Sequence, residues 1–224
     1  MKRLLWWLLA AALTLPGCAT TGPDYIPASP LLDVPLSVRV RDSDAAKRVA
    51  QFEIKRDWAA LGALAAPYVA RDPGDGDWRL VLGYARLQQN NYAEAVAALA
   101  PLVELRPEEV DAQNLLAEAL RLSGQSDRAR LVLERAAFMH PNSHVTRFLL
   151  GEVYRENNLL ERARTAYSEA VRLDSSFSLG WFGLAKVLAR TGPREEYDLV
   201  LQRLRALDPE LAGAVAEPAA PARR

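Results

Sequence analysis

The chain has 224 residues, half of them hydrophobic and a quarter charged, with 28 basic against 28 acidic side chains. That is the composition of one globular domain or one elongated array, not of a disordered chain. A zero net charge excludes a nucleic-acid binder driven by a basic excess, and a single cysteine excludes an intramolecular disulfide or a thiolate-based zinc site.

The chain opens with Lys2 and Arg3, then twelve residues from Leu4 to Leu15 with only Thr14 polar. This stretch is shorter than the roughly 20 apolar residues a membrane span needs, and it has the form of a signal-peptide core. "LPGC" follows, with small Gly17 directly before Cys18. It resembles the lipobox of bacterial lipoproteins, with Pro16 as its departure. The resemblance implies a signal peptide over 1–17 and a chain cut before Cys18. The thiol would carry covalent lipid, with no other cofactor. Ala19 after the cysteine implies sorting to the outer membrane of a Gram-negative cell, facing the periplasm. The alternative is an ordinary secretory signal cut after Ala19, which would discard Cys18 and leave a soluble periplasmic protein. Removing 1–17 takes Lys2 and Arg3 and no acid, leaving a net charge of about −2.

Residues 18–41 hold Pro23, Pro27, Pro30 and Pro35 and predict a tether. Extended, residues 19–41 reach about 70 Å at about 3.1 Å each. Within them "LSVRVR" alternates Leu36, Val38 and Val40 against Ser37, Arg39 and Arg41, which is a strand pattern.

From Asp42 a 34-residue period takes over. Pro73, Pro107, Pro141 and Pro209 keep the step, with Ser175 in the remaining slot. Leu82, Leu116, Leu150 and Leu184 form a second column, followed by Gly83, Ala117, Gly151 and Ala185. Asn90, Gly124, Asn158 and Gly192 form a turn column. Ala95, Ala129 and Ala163 form another, which Tyr197 breaks. Each unit is therefore predicted to be two helices joined by a tight turn. Gly or Asn can end the first helix in a left-handed conformation, and proline ends the second. One pair cannot bury its apolar stripe alone, so the units stack.

These columns resemble the tetratricopeptide repeat family. The implied fold is all-α, a right-handed solenoid of stacked antiparallel helix pairs. It covers 42–211 as a degenerate unit 42–75 and units 76–109, 110–143, 144–177 and 178–211. Residues 212–224 are expected to be a flexible tail. In that family the concave face is lined by first helices. The resemblance then implies partner-binding roles for Leu80, Tyr84, Leu87 and Gln88, and for Asn114, Glu118, Arg121 and Leu122. It implies the same for Phe148, Glu152, Arg155 and Glu156, and for Phe182, Lys186 and Arg190. Tyr84, Phe148 and Phe182 are candidate aromatic anchors for a partner; for Phe148 and Phe182 the alternative is filling between neighbouring first helices.

No enzymatic constellation stands out. His140 and His144 have metal spacing on a helix, but Pro141 interrupts it. "DPGDGD" at Asp72–Asp77 lacks the order of a calcium loop. Arg128, Arg130, Arg135, Arg162 and Arg164 read as a solvated outer face. The expected function is a lipid-anchored scaffold for other envelope proteins or their segments. Among lipoproteins with such repeats, pilotins and assembly factors for pilus or secretion pores come first. Scaffolds for exopolysaccharide export or cell-wall hydrolases are the alternative, and a soluble periplasmic enzyme or metal protein is the alternative of another class.

Overall fold

The computed structural model describes residues 31–32 and 35–216. The signal segment, Cys18, residues 19–30 and residues 217–224 lie outside them. The described residues are helical, and no strand occurs among them. A short α1 (Leu36–Arg39) precedes α2 (Ser43–Lys55) and α3 (Trp58–Arg71). Four further pairs follow: α4 (Gly76–Gln88) with α5 (Tyr92–Leu105), α6 (Val110–Leu122) with α7 (Ser126–Met139), α8 (His144–Glu156) with α9 (Leu160–Leu173), and α10 (Ser178–Thr191) with α11 (Arg194–Leu207). Helix α12 (Pro209–Ala216) closes the array against α10 and α11. Each first helix also touches the first helix of the next pair, from α4 through α6 and α8 to α10.

The turn column explains why successive pairs look alike. Arg56, Asn90, Asn158 and Gly124 all have positive φ, from 53° to 79°. In each turn the next residue's N–H reaches back to the helix: Asp57 to Phe52, Asn91 to Arg86, Gln125 to Leu120 and Leu159 to Tyr154, at 2.8–2.9 Å. This Schellman closure satisfies carbonyls that the helix end would otherwise leave bare. The fourth repeat departs from the expectation. Gly192 is extended, with φ −91° and ψ 163°. The residue that should donate the closing bond there is Pro193, which has no N–H. A residue before proline is also pushed away from helical conformations.

The small columns work as predicted by steric need. A Cβ on Gly83 would lie 2.4 Å from Leu99 Cγ, and one on Gly151 would lie 2.5 Å from Tyr167 Cε1. Tyr167 is fully buried and also abuts Gly183, where a Cβ would come within 2.4 Å. One tyrosine on α9 is thus held between two glycines, one on its own first helix and one on the next. Pro67 and Pro101 lie inside α3 and α5. The residues four before them, Ala63 and Ala97, are exposed, so water can take up the carbonyls that proline leaves unbonded.

Two terminal readings need correction. The alternating "LSVRVR" is not a strand. Leu36 is buried, Val40 is 6% exposed and Val38 is 70% exposed, which is the i, i+4 spacing of a helix. The cause is tertiary. Glu53 on α2 accepts hydrogen bonds from the backbone N–H groups of Leu36 and Ser37, and Arg39 is drawn to α6. Leu31, Leu36 and Val40 join the hydrophobic core, so this part of the expected tether is a strap packed on α2 and α4. The tail expected from 212 begins as helix. Asp208 accepts from Leu211 N–H at 3.0 Å, Pro209 opens α12 with its preset φ, and Ala212 and Val215 are buried.

Candidate protein-binding face

A 34-residue step between first helices sets their side chains in rows across the inner face. One row is Leu80, Asn114, Phe148 and Phe182. The next is Tyr84, Glu118, Glu152 and Lys186. A third is Gln88, Leu122, Glu156 and Arg190. The structure gives these rows different exposures. Leu80, Tyr84, Leu87, Asn114, Glu118, Arg121, Phe148, Glu152 and Phe182 are buried. Gln88, Leu122, Arg155 and Lys186 are half-buried, and Glu156 and Arg190 are exposed. The expected site thus divides into a buried floor and an accessible rim.

The aromatic residues belong to the floor. Tyr84 meets Trp58 of α3 edge-on at 5.4 Å. Phe148 meets Phe177 edge-on at 5.3 Å and lies 5.9 Å from Tyr167. Phe182 carries Lys186 Nζ 5.1 Å above its ring. For Phe148 the geometry favours the filling of space between helices, and Tyr84, expected as an anchor, is buried against Trp58 instead.

Between α6 and α8 the floor is ionic. Arg121 donates through Nε and Nη2 to both oxygens of Glu118, each at 2.8 Å, and through Nη1 to Glu156. Arg155 donates to Glu152 at 2.7 Å, and the Tyr167 hydroxyl donates to the same carboxylate. Asn114 accepts from Thr146 Oγ1 at 2.8 Å. Burial would raise the Glu152 pKa, but Arg155, the Tyr167 hydroxyl and Arg121 outweigh it and hold the group below the usual carboxylate range. Burial pushes Glu156 up, which the charge of Arg121 offsets only in part. Burial and the neighbouring Glu152 charge push the Tyr167 hydroxyl well up, so it stays protonated and a donor. With the Arg121 side chain 3% exposed, the Glu118 pair is made within α6 and the Glu152 pair within α8, while Arg121 to Glu156 and Thr146 to Asn114 join the two helices.

Sequence reasoning missed several members of this face. Asp111 is 1% exposed and binds Arg39 of the strap, whose other nitrogen meets Glu109 at 2.8 Å. Glu109 stands at the start of α6 without capping it through its side chain. Thr146 and Gln113 are likewise buried. One signal was available: Asp77 and Asp111 stand one period apart, and Asp77 pairs with Arg106 at 2.9 Å.

The remaining candidates serve local structure. His144 lies 3.8 Å from Asp174 and packs edge-on against Phe177. Among the described residues no group of three or more His, Cys, Asp or Glu side chains could hold a metal ion. In "DPGDGD", Asp75 caps α4 and Asp72 accepts from Gly74 N–H. On the outer face Arg130 pairs with Glu134 at 2.9 Å, Arg164 with Glu196 at 2.5 Å, and Arg162 sits over the Tyr154 ring. No helix among the described residues is long and apolar enough to cross a membrane.

Comparison with known proteins agrees with this architecture. The family model described as tetratricopeptide repeat matches residues 80–144 and 147–193. Anaphase-promoting complex subunit 3 of Schizosaccharomyces pombe is 24% identical over 107 residues, which are 48% of this chain and 16% of that protein. The chain therefore spans about a sixth of that relative. A thermophilic tetratricopeptide protein of Thermus thermophilus superposes with a TM-score of 0.66 at 18% identity, covering 78% of this chain and 96% of the other. YrrB, a tetratricopeptide protein with an unusual peptide-binding site, superposes with a TM-score of 0.57 at 17% identity, covering 75% and 87%. At such identities the likeness is one of fold.

Proposed function

Because this chain belongs to the tetratricopeptide repeat family, we propose that it is a lipid-anchored scaffold on the periplasmic face of the outer membrane. In this reading it receives a segment of another envelope protein on its inner face and assists assembly or targeting of a pilus or secretion pore, as pilotins do. The observation that carries the binding half is the rim row Gln88, Leu122, Glu156 and Arg190. It advances one helix pair per 34 residues beside a rigid floor. An extended or helical segment laid across it meets one rim residue per pair, and the alternating polar, apolar and charged groups set its register. YrrB's peptide-binding site supports such a use of the fold. The anchor rests on "LPGC" at Leu15–Cys18. Several acyl chains, at about 0.8 kcal/mol per buried methylene, hold a protein stably where one chain does not.

The test has two arms. Cys18→Ser should move the protein from the outer-membrane fraction to the soluble periplasm. Deleting the protein should leave the pore subunits of the system it serves in the inner membrane. A Cys18→Ser variant that stays with the outer membrane contradicts the anchor. Pore assembly that proceeds normally without the protein contradicts the pilotin role.

A further inference from the structure

We propose that two copies of the chain pair back to back through α5 and α7, which leaves both inner faces free. The pairing is independent of what the inner face binds. The outer surface carries two unlike stripes, one 34-residue step apart. On α7 the stripe is Arg128, Leu131, Arg135 and Phe138, all exposed, with Phe138 at 88% and Leu131 at 59%. The two apolar residues are seven apart, so they stand as two knobs on one helix face. On α5 the matching stripe is Glu94, Ala97, Pro101 and Glu104, with small side chains set between two acids. Ala97 and both acids are exposed, and Pro101 is half-buried. Among the described residues Glu104 and Arg135 have no ion-pair partner. Arg128 donates one N–H to Gln125 and keeps its others.

What selects a second copy is the fit of one stripe to the other. With α7 of one copy laid antiparallel on α5 of the other, Arg128 stands opposite Glu104 and Leu131 opposite Pro101. In the same register Arg135 stands opposite Ala97 and Phe138 opposite Glu94. Leu131 then enters the hole around Ala97 and Pro101, and Phe138 enters the one around Ala93 and Ala97, where small side chains leave room. Arg135 lies one helical turn from Glu94, whose carboxylate already meets Arg86 at 2.9 Å. Pairing like with like fails on charge. Helix α5 on α5 sets Glu94 against Glu104, and α7 on α7 gathers arginines from both copies on a stripe without an acid.

A two-fold axis between α5 and α7 makes both unlike contacts at once, so the assembly is self-complementary and stops at two copies. Its size sets its strength. Two 14-residue helices are each about 21 Å long and about 10 Å across, a patch of about 400 Å² per copy. A standard stable interface takes about 800 Å² per partner. The pair is therefore weak and concentration-dependent, and it holds two inner faces pointing away from each other.

A photoreactive benzoylphenylalanine in place of Phe138 tests this, since it keeps an aromatic ring at an exposed site. The full chain, as the cell processes it, is purified in detergent without any partner, irradiated over a range of concentrations and mapped by mass spectrometry. The expected product is a crosslinked dimer whose yield rises with concentration and whose crosslinks fall near Ala93 and Ala97 of the second copy. Arg128→Glu should raise the concentration of half-maximal crosslinking about tenfold, since the two-fold axis counts each pair twice. Adding Glu104→Arg to it should restore the original value. Both positions are exposed, so circular dichroism melts should not move. Crosslinks to other helices, or only monomer at every concentration, overturn the proposal. So does a folded Arg128→Glu variant that dimerises like the parent, or one that Glu104→Arg does not rescue. Crosslinks to lipid vesicles in place of a second copy assign the stripe to a membrane and overturn it as well. In cells a second copy caught by an outer-helix probe is this self-contact, and only a different envelope protein caught there bears on the inner face.

Discussion

Gly151→Leu should lower the melting temperature of the whole array. The reason is a single contact: a Cβ at 151 would lie 2.5 Å from Tyr167 Cε1, well inside any real carbon–carbon approach. Tyr167 cannot retreat, because Gly183 of α10 abuts its ring from the next pair. Overpacking typically costs about 1–3 kcal/mol, and a site closed on both sides belongs at the upper end. For a chain of this size that corresponds to a fall of about 6–12 °C at about 2–4 °C per kcal/mol. Gly151→Ala should cost less, and in a Tyr167→Ala background most of its cost should vanish, since the ring it strikes is gone. A coupling of about 0.5–3 kcal/mol between the two sites follows. Additive effects in circular dichroism melts would show that Gly151 and Tyr167 do not meet.

Arg121→Met should cost still more. It leaves Glu118, with a side chain 3% exposed, charged and without its bidentate partner. Breaking a buried pair in this way typically costs about 3–5 kcal/mol. Glu156 loses a partner too, but its side chain is 31% exposed and water can take over. Replacing both members of the buried pair, Glu118→Leu with Arg121→Met, should recover most of the loss, since two apolar side chains need no partner there. Urea midpoints of the two variants give the comparison. If Arg121→Met costs less than about 1 kcal/mol, the pair behaves as a surface ion pair and the floor is wet.

The helix pairs were legible in the sequence because their cause repeats. Gly83 and Gly151 stand where a neighbouring side chain forbids a Cβ, and Asn90, Gly124 and Asn158 stand where the backbone turns left-handed. Gly192 misled because the cause of its conformation is the next residue, Pro193. The strap was illegible for a different reason. Its alternation is a sound local signal for a strand, and what overrides it is Glu53 on α2 together with Glu109 and Asp111 some seventy residues on. The inner face was legible as a set of positions but not as a landscape. Glu118, Arg121 and Glu152 read as exposed polar residues, and only their pairing, Glu118 with Arg121 on α6 and Glu152 with Arg155 and Tyr167, makes their burial tolerable. Asn114 and Phe148 occupy the same row, and nothing in their spacing announces that both are covered.

The central claim is that the inner face, and not the outer one, receives the partner. Photoreactive side chains placed in living cells at Leu122, Glu156 and Arg190, and separately at Arg128, Arg135 and Thr165 on the outer helices, test it most directly. The rim probes should each capture the same envelope protein, with yields that rise together when that protein is overproduced, while the outer probes capture none. The opposite pattern would contradict the claim. It would move the binding face to the outer side of α7, where Phe138 is 88% and Leu131 59% exposed.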